Sequence, residues 1–133
     1  MANLKVRLVA TDRRVYTGDA ETVVLETLDG QIGIRSKHSP MMAVLRDAPV
    51  LIKTPDGDVY AAVHGGFVTV DRDNVIILAE TAELGSEIVA EAAERIKAEI
   101  GTPADDDHGS KAKLKRAEVR LDVLAKTQST RMH

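Results

Sequence analysis

The 133-residue sequence contains no cysteine and no tryptophan, and its aromatic residues are Tyr16, Tyr60 and Phe67. The absence of cysteine excludes disulfides, thiolate metal ligands and a cysteine nucleophile. With so few rings, the core has to be built from Val, Ile, Leu and Ala, which bury less area per residue. The sequence also lacks a secretory signal pattern and any apolar run long enough to cross a bilayer. We therefore expect a soluble protein that is not exported.

Charge is distributed unevenly along the chain. Residues 1–110 carry 11 basic and 19 acidic side chains, a net charge of −8, whereas residues 111–133 carry seven basic and two acidic side chains, a net charge of +5. The basic segment has three possible partners: nucleic acid, an acidic stripe on the helix before it, or an acidic protein. The stripe would consist of Glu87, Glu91 and Glu94. Nucleic acid is the least favoured, because the segment has no aromatic residue for base stacking.

The first two thirds of the sequence has the pattern of a β protein. From Leu4 to about Glu80, apolar and polar residues alternate with period two, which is typical of half-buried strands. Turn-forming groups such as Thr17-Gly18-Asp19 and Asp29-Gly30 interrupt this pattern at short intervals, with no helix-length segment between them. Residues 1–84 are therefore predicted to form an antiparallel β-sandwich.

The pattern changes to helix after Gly85. We expect Ser86 to cap a first helix that begins at Glu87, Ser110 to cap a basic second helix, and an acidic loop to span 102–109. The inward positions are expected to be Ile88, Ala92, Ile96 and Ile100 on the first helix, and Leu114, Ala117, Leu121 and Leu124 on the second. Residues 85–133 thus predict a two-helix antiparallel hairpin. Its apolar seam is too narrow to be stable alone, so it must dock on the sandwich or on another protein.

The sequence offers little catalytic chemistry. The four histidines have no partners at metal-ligand spacing, and His108 beside three aspartates is expected to lie in a solvated loop. His38 and Ser39 are adjacent, so on a strand they would point to opposite faces and could not act as a catalytic pair. Gly30-Gln31-Ile32-Gly33 lacks the Gly-Lys-Ser/Thr of a phosphate loop. We therefore predict a protein that is not an enzyme and has no catalytic, metal or cofactor site.

Several segments of the chain match one known family. The segment from Asp29 to Met41 resembles the Gly-x-x-Gly-Ile-Leu-Pro-x-His-x-Pro-Leu segment of the epsilon subunit of the bacterial F-type ATP synthase, which is homologous to the mitochondrial delta subunit. Further similarities are Gly65-Gly66-Phe67, Asn74 to Ala79, Ala82-Glu83, Leu114 to Ala117, and Arg120-Leu121. The resemblance covers nearly the whole chain and agrees with its two-part architecture.

The resemblance implies a non-catalytic rotor subunit of the proton-translocating F-type ATP synthase. Such a subunit lies in the central stalk with the gamma subunit, rests on the ring of c subunits and couples rotation of that ring to ATP synthesis. It is peripheral, at the cytoplasmic face of the bacterial plasma membrane, without membrane insertion. The implied contacts with the c ring and gamma are Gln31, Arg35, His38, Ser39, Met41 and Met42. The alternative is a free-standing nucleotide or metabolite sensor whose hairpin closes over a ligand.

The resemblance also implies a regulatory role for the hairpin, which in related proteins restrains ATP hydrolysis when it extends along gamma. The side chains that would then face the acidic region of the catalytic head are Lys111, Lys115, Arg116 and Arg120. ATP-binding members carry Ile-Asp-x-x-Arg-Ala at the start of the first helix. Here the segment reads Ile88-Val89-Ala90-Glu91-Ala92, without the Asp or the Arg, so we predict no nucleotide binding.

Overall fold

The structure is a computed structural model that describes residues 3–131, so residues 132 and 133 of the predicted hairpin lie outside the described residues. Within this range the chain forms ten strands, one 3₁₀ turn and two helices. The strands are β1 (Leu4–Ala10), β2 (Arg14–Ala20), β3 (Thr22–Thr27), β4 (Gly30–Arg35), β5 (Met41–Val44), β6 (Ala48–Thr54), β7 (Gly57–His64), β8 (Phe67–Asp71), β9 (Asn74–Ala79) and β10 (Thr81–Leu84). The 3₁₀ turn is Gly85–Glu87, and the helices are α1 (Ala90–Ile100) and α2 (His108–Arg131). The predicted sandwich followed by a helical hairpin is confirmed.

The strands form two five-stranded sheets. Sheet A has the order β2-β1-β9-β8-β5, and sheet B has the order β10-β7-β6-β3-β4. Neighbouring strands are antiparallel except for β1 and β9, which run parallel. Alternate side chains of each strand point into the core, so Leu4, Val6 and Leu8 of β1 are fully buried. The buried members of this core are all aliphatic, as the low aromatic count predicts.

Strand β2 corrects one prediction. Thr17-Gly18-Asp19 was expected to form a turn, but it lies inside β2, where Gly18 is paired with Val6. The Tyr16 side chain lies over Gly18: a Cβ atom at this glycine would be 2.7 Å from the Tyr16 hydroxyl oxygen. Gly18 therefore makes room for a neighbouring ring instead of turning the chain.

The first helix begins later than predicted. Ser86 lies in the 3₁₀ turn and does not cap α1, which starts at Ala90. The Glu87 carboxylate accepts a hydrogen bond from the Leu84 backbone N–H at 2.9 Å and forms an ion pair with Arg13 at 2.8 Å. The Arg13 hydrogen bond, followed by the one from Leu84, lowers the pKa of Glu87. Glu87 is thus tied to the sandwich and is not the first residue of a helix.

The second helix begins earlier than predicted. It starts at His108, so the acidic loop ends at Asp107 and not at residue 109. Asp107 Oδ1 accepts a hydrogen bond from the Ser110 backbone N–H at 3.0 Å, and this bond lowers the pKa of Asp107. A carboxylate is a better cap than a serine hydroxyl here, because its negative charge also favours the positive end of the helix dipole.

The hairpin docks on sheet B. Helix α1 packs against α2, and α2 packs against β6, β7 and the 3₁₀ turn. The buried side chains at this contact are small: Ala62 of β7 meets Val119 and Val123 of α2. Ala93 is buried in place of the predicted Ala92. The predicted inward leucines of α2 are only half-buried; they are Leu114, Leu121 and Leu124. The seam is as narrow as predicted, and in this structure the sandwich covers it.

Candidate functional site

Two arginines of α2 connect the hairpin to the sandwich. Arg116 reaches both Asp47 in the β5–β6 turn, with Nε 3.5 Å from Oδ2, and Glu80 between β9 and β10, with Nη2 3.0 Å from Oε2. Asp47 also accepts a hydrogen bond from the Gly65 backbone N–H at 2.7 Å, which fixes its position. One guanidinium therefore joins two loops of the sandwich that are far apart in the sequence.

One helical turn further along, Arg120 contacts a third carboxylate. Its Nε lies 2.9 Å from Glu83 Oε1, and the other carboxylate oxygen of Glu83 lies 3.1 Å from Nε2 of His64, which is fully buried. Burial by itself raises the pKa of Glu83, but the hydrogen bonds from His64 and Arg120 together outweigh it, so the pKa is lowered. Glu83 therefore stays ionised at neutral pH and holds α2 against β7 and β10. We call Asp47, Glu80, Glu83 and His64 the acidic dock.

The acidic dock gives the basic helix a partner that is not among the three sequence-based alternatives. Arg116 and Arg120 pair with the sandwich and not with the acidic stripe on the preceding helix, whose Glu87 is held by Arg13. Lys111 Nζ donates to the Asp105 backbone oxygen at 2.8 Å, and Lys115 is exposed. The sequence does not identify Asp47, Glu80 or His64, because each lies in a different turn or strand and forms no motif.

The outer face of sheet A carries a second feature, an apolar stripe. Val9, Leu78, Phe67 and Val44 are directly opposite one another on the neighbouring strands β1, β9, β8 and β5. Each alternates with core residues of its own strand, so all four side chains point away from the core. Val44 is 55% exposed, and Phe67 and Leu78 are 38% and 37% exposed. The hairpin covers the opposite sheet, so it leaves this stripe open.

A groove continues the stripe beyond β5. It has a volume of about 460 Å³ and is lined by Leu28, Asp29, Met42, Ala43, Val44 and Phe67. Met42 is 73% exposed and Leu28 is 54% exposed. Contiguous exposed apolar side chains of this kind mark surfaces that bind another protein.

The loop between β4 and β5 is braced by Asp73 in the β8–β9 turn. The Ser36 hydroxyl donates to Asp73 Oδ2 at 2.9 Å, and the Lys37 backbone N–H donates to Oδ1 at 2.7 Å. The Lys37 bond, with that from Ser36, lowers the pKa of Asp73. His38 Nδ1 lies 2.7 Å from the Ser39 backbone oxygen and therefore donates to it. This loop is held in one shape before any partner binds.

The six residues predicted to contact the c ring and gamma do not form one cluster. Arg35 is the last residue of β4, His38 and Ser39 belong to the braced loop, and Met42 lies in the groove. Met41 is half-buried and packs against the sandwich core. Gln31 is exposed on the edge strand β4, four residues from Arg35, which is about 13 Å along a strand. The predicted loop is thus three elements: a strand, a short braced loop and a second strand.

Two kinds of feature are absent from the described residues. Within residues 3–131, no group of three or more His, Cys, Asp or Glu side chains is placed to hold a metal ion. Over the same residues, no helix has both the length and the apolar character needed to cross a membrane.

These features define a two-part protein, a β-sandwich with an open apolar face and a helical hairpin docked through ion pairs. Residues 3–85 match the family model described as ATP synthase, delta/epsilon chain, beta-sandwich domain. The ATP synthase epsilon chain of Streptomyces griseus is 45% identical over 125 residues, covering 93% of this chain and 97% of that one. That of Rhodococcus jostii is 40% identical over 120 residues, covering 89% and 98%. The chain therefore belongs to the ATP synthase delta/epsilon family, with the bacterial epsilon chains.

Solved structures share the fold at lower sequence identity. A chain in the mitochondrial ATP synthase of Euglena gracilis, solved as OSCP/F1/c-ring, aligns with a TM-score of 0.64 at 19% identity, covering 100% of this chain and 83% of that chain. A chain in the central stalk/c-ring structure of Tetrahymena thermophila mitochondrial ATP synthase aligns with a TM-score of 0.60 at 14% identity, covering 92% and 97%. These matches extend the likeness of fold over both the sandwich and the hairpin.

Proposed function

We propose that the chain is a non-catalytic rotor subunit of a proton-translocating F-type ATP synthase. It would lie in the central stalk, bind gamma and the c ring, and couple c-ring rotation to ATP synthesis at the cytoplasmic face of the membrane. Family membership supports this role, and the observation that carries it is the open apolar stripe of Val9, Val44, Phe67 and Leu78.

The apolar stripe is better suited to contact with gamma than to exposure to water. A rotor subunit has to transmit torque, so it needs a rigid face that stays attached to its partner. Sheet A provides such a face, because its five strands are joined by continuous ladders and its inner side is packed with aliphatic side chains. The hairpin occupies sheet B, so gamma can bind sheet A while the hairpin is docked.

The braced loop and the exposed end of β4 fit the c ring. Arg35 and Ser39 are exposed, and Gln31 offers an amide on an edge strand. Polar and charged groups suit a contact with polar loops, and bracing by Asp73 reduces the entropy lost on binding. Arg35 and Lys37 bring two positive charges to that contact.

Regulation would use the acidic dock. Arg116 and Arg120 are held by Asp47, Glu80 and Glu83 in this structure, so they can reach the catalytic head only if the hairpin leaves the sandwich. An acidic surface on the head would then replace the acidic dock, which keeps both arginines paired in each position. Exchange of this kind is expected of a hairpin with small buried contacts and several ion pairs.

A matched pair of variants tests the gamma contact. Val44 and Val89 are exposed to similar extents, 55% and 61%, but only Val44 lies in the stripe. Val44→Glu should abolish co-purification with gamma because it places a charge in an apolar interface, whereas Val89→Glu should co-purify like the unmodified chain. Retention of gamma by Val44→Glu, with the fold intact by circular dichroism, would show that the stripe is not the gamma-binding face.

A truncation tests the restraint of hydrolysis separately. A chain that ends after Ile88 keeps Glu87 and its contact with Arg13 but has no hairpin. In the assembled complex this chain should still bind gamma, and the rate of ATP hydrolysis should exceed that of the complex with the full chain. Equal hydrolysis rates would remove the regulatory role and leave the coupling role untouched.

A further inference from the structure

A cavity of about 290 Å³ lies where the far end of α2 meets the sandwich. Its lining residues are Tyr16, Asp58, Val59, Tyr60, Leu84, Gly85, Ser86 and Thr127. Tyr16 packs against the sandwich core, whereas Tyr60 packs against the small apolar cluster under the hairpin. The cavity therefore lies at the junction, and Thr127 of α2 forms part of its wall.

Aromatic side chains are concentrated at this cavity. The chain has only two tyrosines and one phenylalanine, and both tyrosines line the cavity. Aromatic rings are the side chains that contribute most area to a core, yet the core of this protein is aliphatic. The faces of such rings attract organic cations.

The charge around the cavity is negative. Asp58 is part of the lining, and the pKa of Tyr16 is raised by burial and then by the nearby carboxylates of Asp19 and Asp56. Among the lining residues, all of which lie in the described part of the chain, none is a lysine or an arginine. A field of this sign repels phosphate groups and favours a cation.

Thr127 is the residue of α2 that lines the cavity. The Thr127 hydroxyl oxygen is buried and makes no hydrogen bond. It is held there because α2 approaches the sandwich closely at Gly85, where any Cβ atom would collide with the Thr127 side chain. A buried hydroxyl without a partner costs free energy, so the docked hairpin is less stable here than full hydrogen bonding would make it.

We propose that this cavity binds a small alkylammonium ion. The ammonium group would lie between the rings of Tyr16 and Tyr60, with Asp58 as its counter-ion. The alkyl chain would pack on Val59 and Leu84. The volume is sufficient, since a cavity of ~150 Å³ accommodates benzene. The ligand touches both parts of the protein, so it would stabilise the docked hairpin. This site is independent of gamma binding and of the stripe.

The probe is n-butylammonium chloride, with n-butanol as its neutral counterpart. The chain has no tryptophan, so its intrinsic fluorescence comes from Tyr16 and Tyr60, which both line the cavity. Titration of the full-length chain at neutral pH should give a saturable change in tyrosine fluorescence with the amine and none with the alcohol. Equal responses to the two compounds, or no saturable response at millimolar concentrations, would overturn the proposal.

Two substitutions locate the site. Asp58→Asn should weaken amine binding about three-fold or more, because it removes the counter-ion of an exposed cation–π site. Asp71→Asn, also at an exposed strand position but on sheet A, should leave binding unchanged. Thr127→Val should raise the melting temperature, since it removes an unpaired hydroxyl, and should leave amine binding unchanged, because the hydroxyl oxygen is buried against Gly85. Unchanged binding in Asp58→Asn would overturn the assignment of the cavity.

Discussion

Glu83 is the residue through which the two parts of the molecule are most directly connected. One carboxylate oxygen accepts from Arg120 of the hairpin and the other from His64 beneath it. Because both partners favour the ionised form, the charge of Glu83 and the position of α2 depend on each other. The docking of α2 should therefore respond more strongly to loss of the Glu83 charge than to a change in the shape of the Glu83 side chain.

Replacement of Glu83 by Gln tests this dependence. Gln has almost the same shape but no charge, so the hydrogen bonds to Arg120 and His64 lose their charge-assisted component. We expect the docked hairpin to lose about 1–3 kcal/mol of stability, seen as faster hydrogen exchange of the α2 backbone amides. Glu94→Gln, at an exposed position of α1, is the matched control and should leave α2 exchange unchanged.

The pH dependence of stability gives a second test of the same group. The folded pKa of Glu83 lies below its ordinary value of 4.5, so its contribution is complete above that value and is lost as the pH falls through the lower, folded value. Asp73, Glu87 and Asp107 also have lowered pKa values. These three carboxylates are present in both the unmodified chain and the Glu83→Gln variant, so their contributions cancel in the comparison. The difference in unfolding free energy between the two chains should therefore shrink below pH 4.5. A constant difference would contradict the assigned ionisation.

Gly66 is a residue whose role is geometric. Its φ is +108°, and a Cβ atom there would lie 2.8 Å from Ala79 Cα and closer still to the Leu78 backbone oxygen. Gly66→Ala should cost roughly 2–4 kcal/mol of unfolding free energy, measured by urea denaturation, because backbone atoms of β9 cannot move aside. Gly57→Ala is the control: its φ is +130° but no atom lies within 4 Å, so it should show backbone strain alone, about 1 kcal/mol.

Among the secondary-structure elements, α2 docks through small apolar side chains and strong ion pairs. Val119, Val123 and Ala62 bury little area, so the acidic dock supplies much of the specificity of docking. The narrow seam was predictable from the sequence, because the inward positions of both helices are single aliphatic residues. The surface that covers the seam was not predictable from the sequence. Asp47, Glu80 and Glu83 lie in separate turns and strands, and their sequence positions are typical of ordinary solvent-exposed acidic residues.

A charge in that seam should release the hairpin without unfolding the sandwich. Val123 is fully buried, so Val123→Asp would place a carboxylate without a partner against β7, at a cost of several kcal/mol. We expect hydrogen exchange to accelerate in α2 and to stay slow in the strands. Ala125→Asp puts the same group two residues away at an exposed position and should leave α2 docked. Loss of protection in both parts of the Val123→Asp chain would mean that they unfold together.

The boundaries of the elements show where sequence patterns stop being informative. Alternation predicted the strands that are half-buried, but it failed at β2, where Gly18 lies under the Tyr16 side chain and resembles a turn residue in the sequence. The prediction of a helix cap at Ser86 failed for a related reason. Serine is a common capping residue, but the ion pair of Glu87 with Arg13 holds that segment in a 3₁₀ turn. Contacts between residues distant in the sequence decided both cases.

For the whole molecule, the two sheets have different surroundings. Sheet B carries the hairpin, and sheet A presents the apolar stripe to solvent, so the molecule can hold its hairpin and its proposed partner at the same time. The fold class and the family were predictable from sequence because their motifs are contiguous. The stripe was not, because Val9, Val44, Phe67 and Leu78 come from four strands and meet only through the strand registers.

At the scale of the whole chain, we predict that the protein does not bind nucleotide. Arg116 and Arg120 of α2 are already paired with Asp47, Glu80 and Glu83. We expect no change in melting temperature when ATP and magnesium are added. A ligand at 100 times its dissociation constant would stabilise the protein by ~2.7 kcal/mol, so binding would be obvious. A clear rise in melting temperature would contradict the prediction and favour the sensor alternative.

The parallel pairing of β1 with β9 has a consequence for synthesis of the chain. Strand β1 is synthesised before β9. It lies inside sheet A and gains its second neighbour only after residues 74–79 have been made. At ~5–20 residues per second this interval is roughly three to twelve seconds. During it, β1 has only β2 as a partner, and such a two-stranded ribbon is marginal in water. A nascent chain that stalls before β9 therefore exposes an aliphatic strand edge, the kind of edge that pairs with other chains and is bound by chaperones.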